Sequence, residues 1–61
     1  MMYAIAVKDY DGDQDVERFE GGTRFDIIEG KYVDTISKHG EEICEIGGEW
    51  QEEYFILVNY E

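Results

Sequence analysis

Thr23 to Glu29 alternates without a break: Phe25 and Ile27 fall on one side, and Arg24, Asp26 and Ile28 on the other. Period-two alternation marks a half-buried strand. In a chain of only 61 residues, such a strand needs several short partners to cover its apolar face. Tyr3 to Lys8, apolar at most positions with alanine between larger residues, reads as a first strand. A third is predicted over Tyr32 to Ser37, after the Glu29-Gly30-Lys31 turn. Lys38-His39-Gly40-Glu41 reads as a tight hairpin, with glycine where a left-handed conformation is needed. Glu42 to Ile46 reads as the fourth strand, Trp50 to Tyr54 as one turn of helix, and Phe55 to Val58 as the last strand. Asp9 to Glu20 is a long polar loop, and Gly21-Gly22 a backbone hinge.

Short strands at intervals of about 8–12 residues predict an all-β fold. The expected architecture is a single small five-stranded barrel over residues 1–61, with one short helical turn before the last strand. Such a barrel would close its own edges. Its expected core is Ala4, Ala6, Phe19, Phe25, Ile27, Val33, Cys44, Ile46, Trp50, Phe55 and Ile56, with Tyr3 and Tyr60 covering the ends. No linker, repeat or low-complexity tract divides the chain, and proline is absent. A chain this short buries only roughly 60% of its unfolded surface, so its stability is expected to be marginal. The 43% hydrophobic and 15% aromatic content still argues against disorder.

Sixteen acidic residues face five basic ones, for a net charge of −11. Repulsion disfavours direct binding to nucleic acid or an anionic membrane, and it discourages self-association, so a monomer is expected. Basic protein partners fit the charge; so does simple solubility with no partner at all. No apolar run reaches the length of about 18 residues that spans a membrane. Met1-Met2-Tyr3 leads straight into strand-like sequence, so no signal peptide is expected. One cysteine, Cys44, cannot form an internal disulfide, which points to a reducing, cytoplasmic setting.

Ala6-Val7-Lys8-Asp9-Tyr10, the acidic loop, and Phe19-Glu20-Gly21-Gly22-Thr23-Arg24-Phe25-Asp26-Ile27-Ile28 resemble the first half of an SH3 domain in order and spacing. There, an Ala-Leu-Tyr-Asp-Tyr-like strand leads through a long loop to a Phe-x-x-Gly-(Asp/Glu)-x-apolar-x-apolar strand. Trp50-Gln51-Glu52-Glu53-Tyr54-Phe55 stands where that family carries an apolar-Pro-Ser-Asn-Tyr-Val pattern, so the resemblance runs from about Ala4 to Val58. It implies an SH3-like barrel and a binding module that grips polyproline-II peptides between aromatic side chains. Tyr10 and Tyr54 match two groove tyrosines of the family. Lys8 replaces the first tyrosine, Gln51 the proline, and Lys31-Tyr32 the paired tryptophans, with Tyr32 partly filling that gap. Trp50 takes the place of a buried aliphatic residue, which implies a core position. A groove without its Trp and Pro walls is expected to hold proline-rich peptides poorly, and small barrels carry many unrelated roles.

Asp9, Asp11, Asp13 and Asp15 alternate along the loop, followed by Glu17 and Glu20. The equivalent loop of SH3 domains pairs with Arg or Lys of the ligand. The expected partner is therefore a basic protein surface or Lys/Arg-rich segment, held by Asp11, Asp13, Asp15 and Glu17 through charge-assisted hydrogen bonds. Tyr10, Tyr32 and Tyr54 would supply apolar contact. The plain alternative is a solvated loop. The same aspartates and Glu20 also fall in a calcium-loop register, but Gln14 stands where the sharp turn needs glycine and no helices flank it. A second acidic cluster, Glu41, Glu42, Glu45, Glu49, Glu52 and Glu53, raises another reading. Carboxylates two apart on a strand lie about 6.6 Å from each other and can form rows that imitate a phosphate backbone. Glu42, Glu45, Glu49, Glu52 and Glu53 would then block a nucleic-acid-binding protein, as small acidic mimics of phages and mobile elements do. Catalysis is not expected: His39 stands alone in a turn, Cys44 has no histidine partner, and Gly21-Gly22 lacks the strand–helix context of a phosphate loop. No cofactor and no metal site is assigned.

Overall fold

The alternation in Thr23–Glu29 becomes the third of five strands lying side by side. In a computed structural model describing residues 1–59, the elements are β1 (Met2–Ala6), β2 (Arg24–Ile28), β3 (Thr35–Lys38), β4 (Glu41–Glu45), α1 (Glu49–Tyr54) and β5 (Phe55–Asn59). All pairings are antiparallel, in the order β4-β3-β2-β1-β5. The all-β class and the short helix directly before the last strand are as the sequence predicts. Among the described residues β4 and β5 form no ladder with each other, so the sheet is open, and α1 packs against both of its edge strands. Tyr60, expected at a barrel end, lies outside the described residues.

The core follows from residue size on the strand next to β5. Ala4 pairs with Phe25 and Leu57, and Ala6 with Phe55. The two alanines leave room above β1 for three rings: Phe25 lies 4.9 Å from Phe55 and 5.2 Å from Phe19, both edge to face. Edge-to-face contact sets the positive ring rim against a negative ring face, adding to simple area burial. Ile36, opposite Ile27, completes the buried set. The β3–β4 hairpin turns on His39 (φ 52) and Gly40 (φ 84), the two positive φ angles that a two-residue hairpin turn matching the strand twist demands.

Three expectations need correction. The third strand begins at Thr35 rather than Tyr32, because Asp34 Oδ1 accepts the Gly30 N–H (3.3 Å) and folds residues 30–34 into a bend. A side-chain acceptor of this kind competes with the ladder. Val33 is consequently only half-buried, outside the core cluster, and Ile36 takes the interior place. Ile56 is 52% exposed, since it follows the inward Phe55 and successive strand residues face opposite ways. Ile27, Cys44, Ile46 and Trp50 are half-buried against the core.

Candidate functional site

The loop between β1 and β2 is closed at its base by a bridge between Tyr10 and Phe19, whose backbone groups exchange hydrogen bonds of 2.8 and 3.0 Å. Asp9 Oδ1 accepts the Gly21 N–H (2.7 Å) and ties the loop to the hinge. At the far end, Asp13 Oδ1 accepts the N–H groups of Asp15 (2.7 Å) and Val16 (2.8 Å), and the Asp13 N–H donates to the Val16 carbonyl. Its other carboxylate oxygen accepts the Tyr10 hydroxyl. Asp13 thus organises the loop, and like Asp11, Asp15 and Glu17 it is exposed. The calcium register is not gathered: among the described residues, no three His, Cys, Asp or Glu side chains form a group able to hold a metal ion.

Opposite the loop stands α1. Trp50 and Tyr54, one helical turn apart, lie with ring centroids 4.7 Å from each other. Tyr10 meets both edge-on, 4.9 Å from Trp50 and 5.4 Å from Tyr54, and stacks on Phe19 at 5.4 Å behind them. The three outer rings are half-buried, an apolar patch with one side on the core and one in water. Gln51 brackets the helix: its Oε1 accepts the Gly47 N–H (3.0 Å) and its Nε2 donates to the Phe55 carbonyl (3.2 Å). Glu49 and Glu52 stand in the first turn, where negative charge favours the helix dipole.

The aromatic patch therefore lies between two acidic segments, the loop and α1. Lys8 joins its rim: its Nζ is 3.0 Å from Glu53 Oε2 and 4.6 Å from the Tyr54 ring centroid. Two further hollows adjoin. One of about 220 Å³ is lined by Asp9, Tyr10, Asp11, Arg18, Phe19 and Glu20. The other, about 510 Å³, opens over Phe19, Phe25 and Ile43 between the loop and the β3–β4 hairpin, with Glu17, Glu20, Glu41 and Lys38 among its lining.

The hydrogen bond between Tyr10 and Asp13 shifts both groups, in opposite directions. The hydrogen bond to Asp13, then desolvation and neighbouring negative charge, push Tyr10 up from 10.0 to about 12. The Tyr10 hydroxyl, then the two backbone N–H groups, hold Asp13 below its ordinary 3.8. The Asp13 contribution to stability is thus present above the ordinary aspartate range and lost as pH falls through its lowered value. The Tyr10 contribution is complete below 10.0 and lost as pH climbs toward about 12. A phenolate absorbance titration should show a tyrosine ionising near 12 that disappears in Tyr10→Phe. An alkaline limb identical in both proteins would contradict the pairing.

Not all the predicted site residues converge. Tyr10 and Tyr54 come together, and Asp11 lies near enough to Tyr10 to raise its pKa. Tyr32 stands in the 30–34 bend, 90% exposed, with no ring contact to another aromatic among the described residues. Trp50 and Lys8 belong to the patch although the sequence reading placed Trp50 in the core and gave Lys8 no role; the i, i+4 spacing of Trp50 and Tyr54 was the available signal.

The glutamates of β4 are arranged by a bulge. Ile36 pairs with Cys44 and Ser37 with Glu42, so Ile43 is an extra residue. Both Ile43 and Cys44 then pack on the core, which strict alternation forbids, and Glu42 and Glu45 flank them in water. Burial pushes the Cys44 thiol up to about 11, leaving it a poor nucleophile at neutral pH. Among the described residues no helix is long and apolar enough to cross a membrane. Searched against protein-family models, curated proteins and solved structures, the chain matches none of them.

Proposed function

We propose that this chain is an SH3-like, non-catalytic binding module that engages a basic, Lys/Arg-rich segment of a partner protein through the Tyr10–Trp50–Tyr54 patch. The observation that carries the reading is the placement of three half-buried rings between two acidic segments. Rings cover the aliphatic stems of Lys and Arg, and carboxylates at the rim take the charged heads. Asp11, Asp15 and Glu17 are the loop contacts, and Asp13 shapes the loop that presents them. The element order, with a long acidic loop after β1 and a helical turn before β5, supports the SH3-like part of the proposal. A cytoplasmic setting, where Cys44 stays a thiol, belongs to the same reading.

Titration with an oligo-arginine peptide at low salt, followed by fluorescence of the single tryptophan, tests it. Asp11→Asn/Asp15→Asn/Glu17→Gln should weaken binding roughly tenfold, from three charge contacts of a few tenths to about 1 kcal/mol each. Glu42→Gln/Glu45→Gln should change it little. A triple variant that binds as tightly as the wild type would remove the loop from the site.

The β4 bulge supports a second reading, a nucleic-acid-mimic inhibitor of phage type. By turning Ile43 and Cys44 inward it leaves Glu42 and Glu45 exposed, followed after Ile46-Gly47-Gly48 by the exposed Glu49, Glu52 and Glu53 of α1. Under this reading the mutational pattern reverses, and the protein competes with DNA or RNA for a basic target.

A further inference from the structure

Lys8, two residues beyond β1, is one of only five basic residues in the chain. Its ammonium lies over the Tyr54 ring at 4.6 Å and against Glu53 at 3.0 Å. Because Tyr54 touches both Tyr10 and Trp50, this ammonium rests on the aromatic patch itself. The Lys8 and Glu53 side chains remain 49% and 57% exposed, so water screens the pair and the lysine can leave at little cost. The ammonium also holds the Glu53 carboxyl below its ordinary range, through its hydrogen bond and then its charge.

We infer that the Tyr54 ring face and the Glu53 carboxylate form a cation subsite for an arginine side chain of the partner, filled in the free protein by the chain's own Lys8. The inference rests on the basic-partner reading and names the group that reading needs. A ring face attracts any cation, but a guanidinium also lies flat on it and offers a planar fork of donors to a carboxylate, whereas an ammonium is a compact, strongly hydrated point charge. Arginine therefore displaces Lys8 more readily than lysine does. Lys8 acts as a placeholder that keeps the ring and carboxylate paired until the partner arrives.

The test compares wild type, Lys8→Met and Lys31→Met in titrations with oligo-arginine and oligo-lysine peptides. Lys31→Met is the control: it removes the same charge, and Lys31 also lies near a ring, Tyr32 at 5.5 Å, outside the patch. Lys8→Met should bind oligo-arginine roughly 3- to 10-fold tighter than wild type, the range expected for releasing one exposed ion pair and one cation–π contact. Lys31→Met should gain less than about 2-fold from charge alone. Glu53→Gln added to Lys8→Met should abolish the gain. In the wild type, saturation with oligo-arginine should shift the Lys8 side-chain NMR resonances. Equal gains in the two methionine variants, or Lys8 resonances unmoved at saturation, would overturn the subsite while leaving the basic-partner reading standing. A wild type that binds neither peptide would sink both.

Discussion

Phe55→Ala should leave this protein unfolded at 25 °C, and near-ultraviolet circular dichroism and NMR shift dispersion should both be lost. Phe55 is 2% exposed and joins β5 to both other rings of the core, 4.9 Å from Phe25 and 5.5 Å from Phe19. Truncating a buried phenylalanine costs about 3–5 kcal/mol in lost transfer energy and cavity. A domain of this size has about 3–5 kcal/mol to lose. The cavity cannot collapse cheaply, because the residue facing Phe55 is Ala6, already too small to swing in. Ile56→Ala is the matched control on the same strand: Ile56 is 52% exposed and packs beside Ile5, a cross-strand pair worth less than about 1 kcal/mol. A cooperative thermal transition in Phe55→Ala within a few degrees of wild type would show that the three-ring core is not what holds the sheet together.

Elements specified by neighbouring residues were legible in the chain. The alternation around Phe25 and Ile27, the Gly40 hairpin and the helical turn ahead of Phe55 each depend on a few consecutive residues, and each appears within about two residues of its expected place. What escaped depends on pairing across the sheet. Phe55 and Ile56 are both apolar, and only the register with Ala6 and Ile5 decides which one faces inward. Ile36 and Val33 pose the same ambiguity, resolved by the Asp34 acceptor that delays the start of β3. The open sheet, with α1 standing between β4 and β5, is a property of the whole ladder, beyond the reach of any window of sequence.

The site divides along the same line. Tyr10 and Tyr54 were identifiable from motif spacing, and the structure joins them. Asp13 is chemically identical to Asp11 and Asp15 in the sequence, and only the loop geometry shows its carboxylate turned inward to Tyr10 and two backbone N–H groups. Lys8 looked like a lost tyrosine. Its meaning comes from Glu53 and Tyr54, which lie some 45 residues further along the chain.

Gly30→Ala tests the least regular part of the fold, and it is expected to destabilise the protein by about 1–3 kcal/mol, the usual cost of forcing an extra methyl into filled space. A Cβ on Gly30 would sit 2.0 Å from the Val33 carbonyl oxygen and 3.2 Å from its carbon. Both are backbone atoms, so no side-chain rotation relieves the clash, and the 30–34 bend itself must open. Opening it breaks the Gly30–Asp34 hydrogen bond and pulls on Thr35, which pairs with Ile28 at the start of the β2–β3 ladder. Gly48→Ala makes the same chemical change where the nearest atom, the Glu45 carbonyl oxygen, is 3.6 Å away. There the loss should stay within about 1 kcal/mol, the scale of a weakened helix N-cap. Urea denaturation separates the two, and equal midpoints for both variants would mean that the chain does not fold back tightly between β2 and β3. Because Tyr10, Trp50 and Tyr54 lie on other elements, Gly30→Ala should also keep the affinity of its folded fraction for oligo-arginine, so a loss of binding there would place the partner on the bend and on Tyr32 instead.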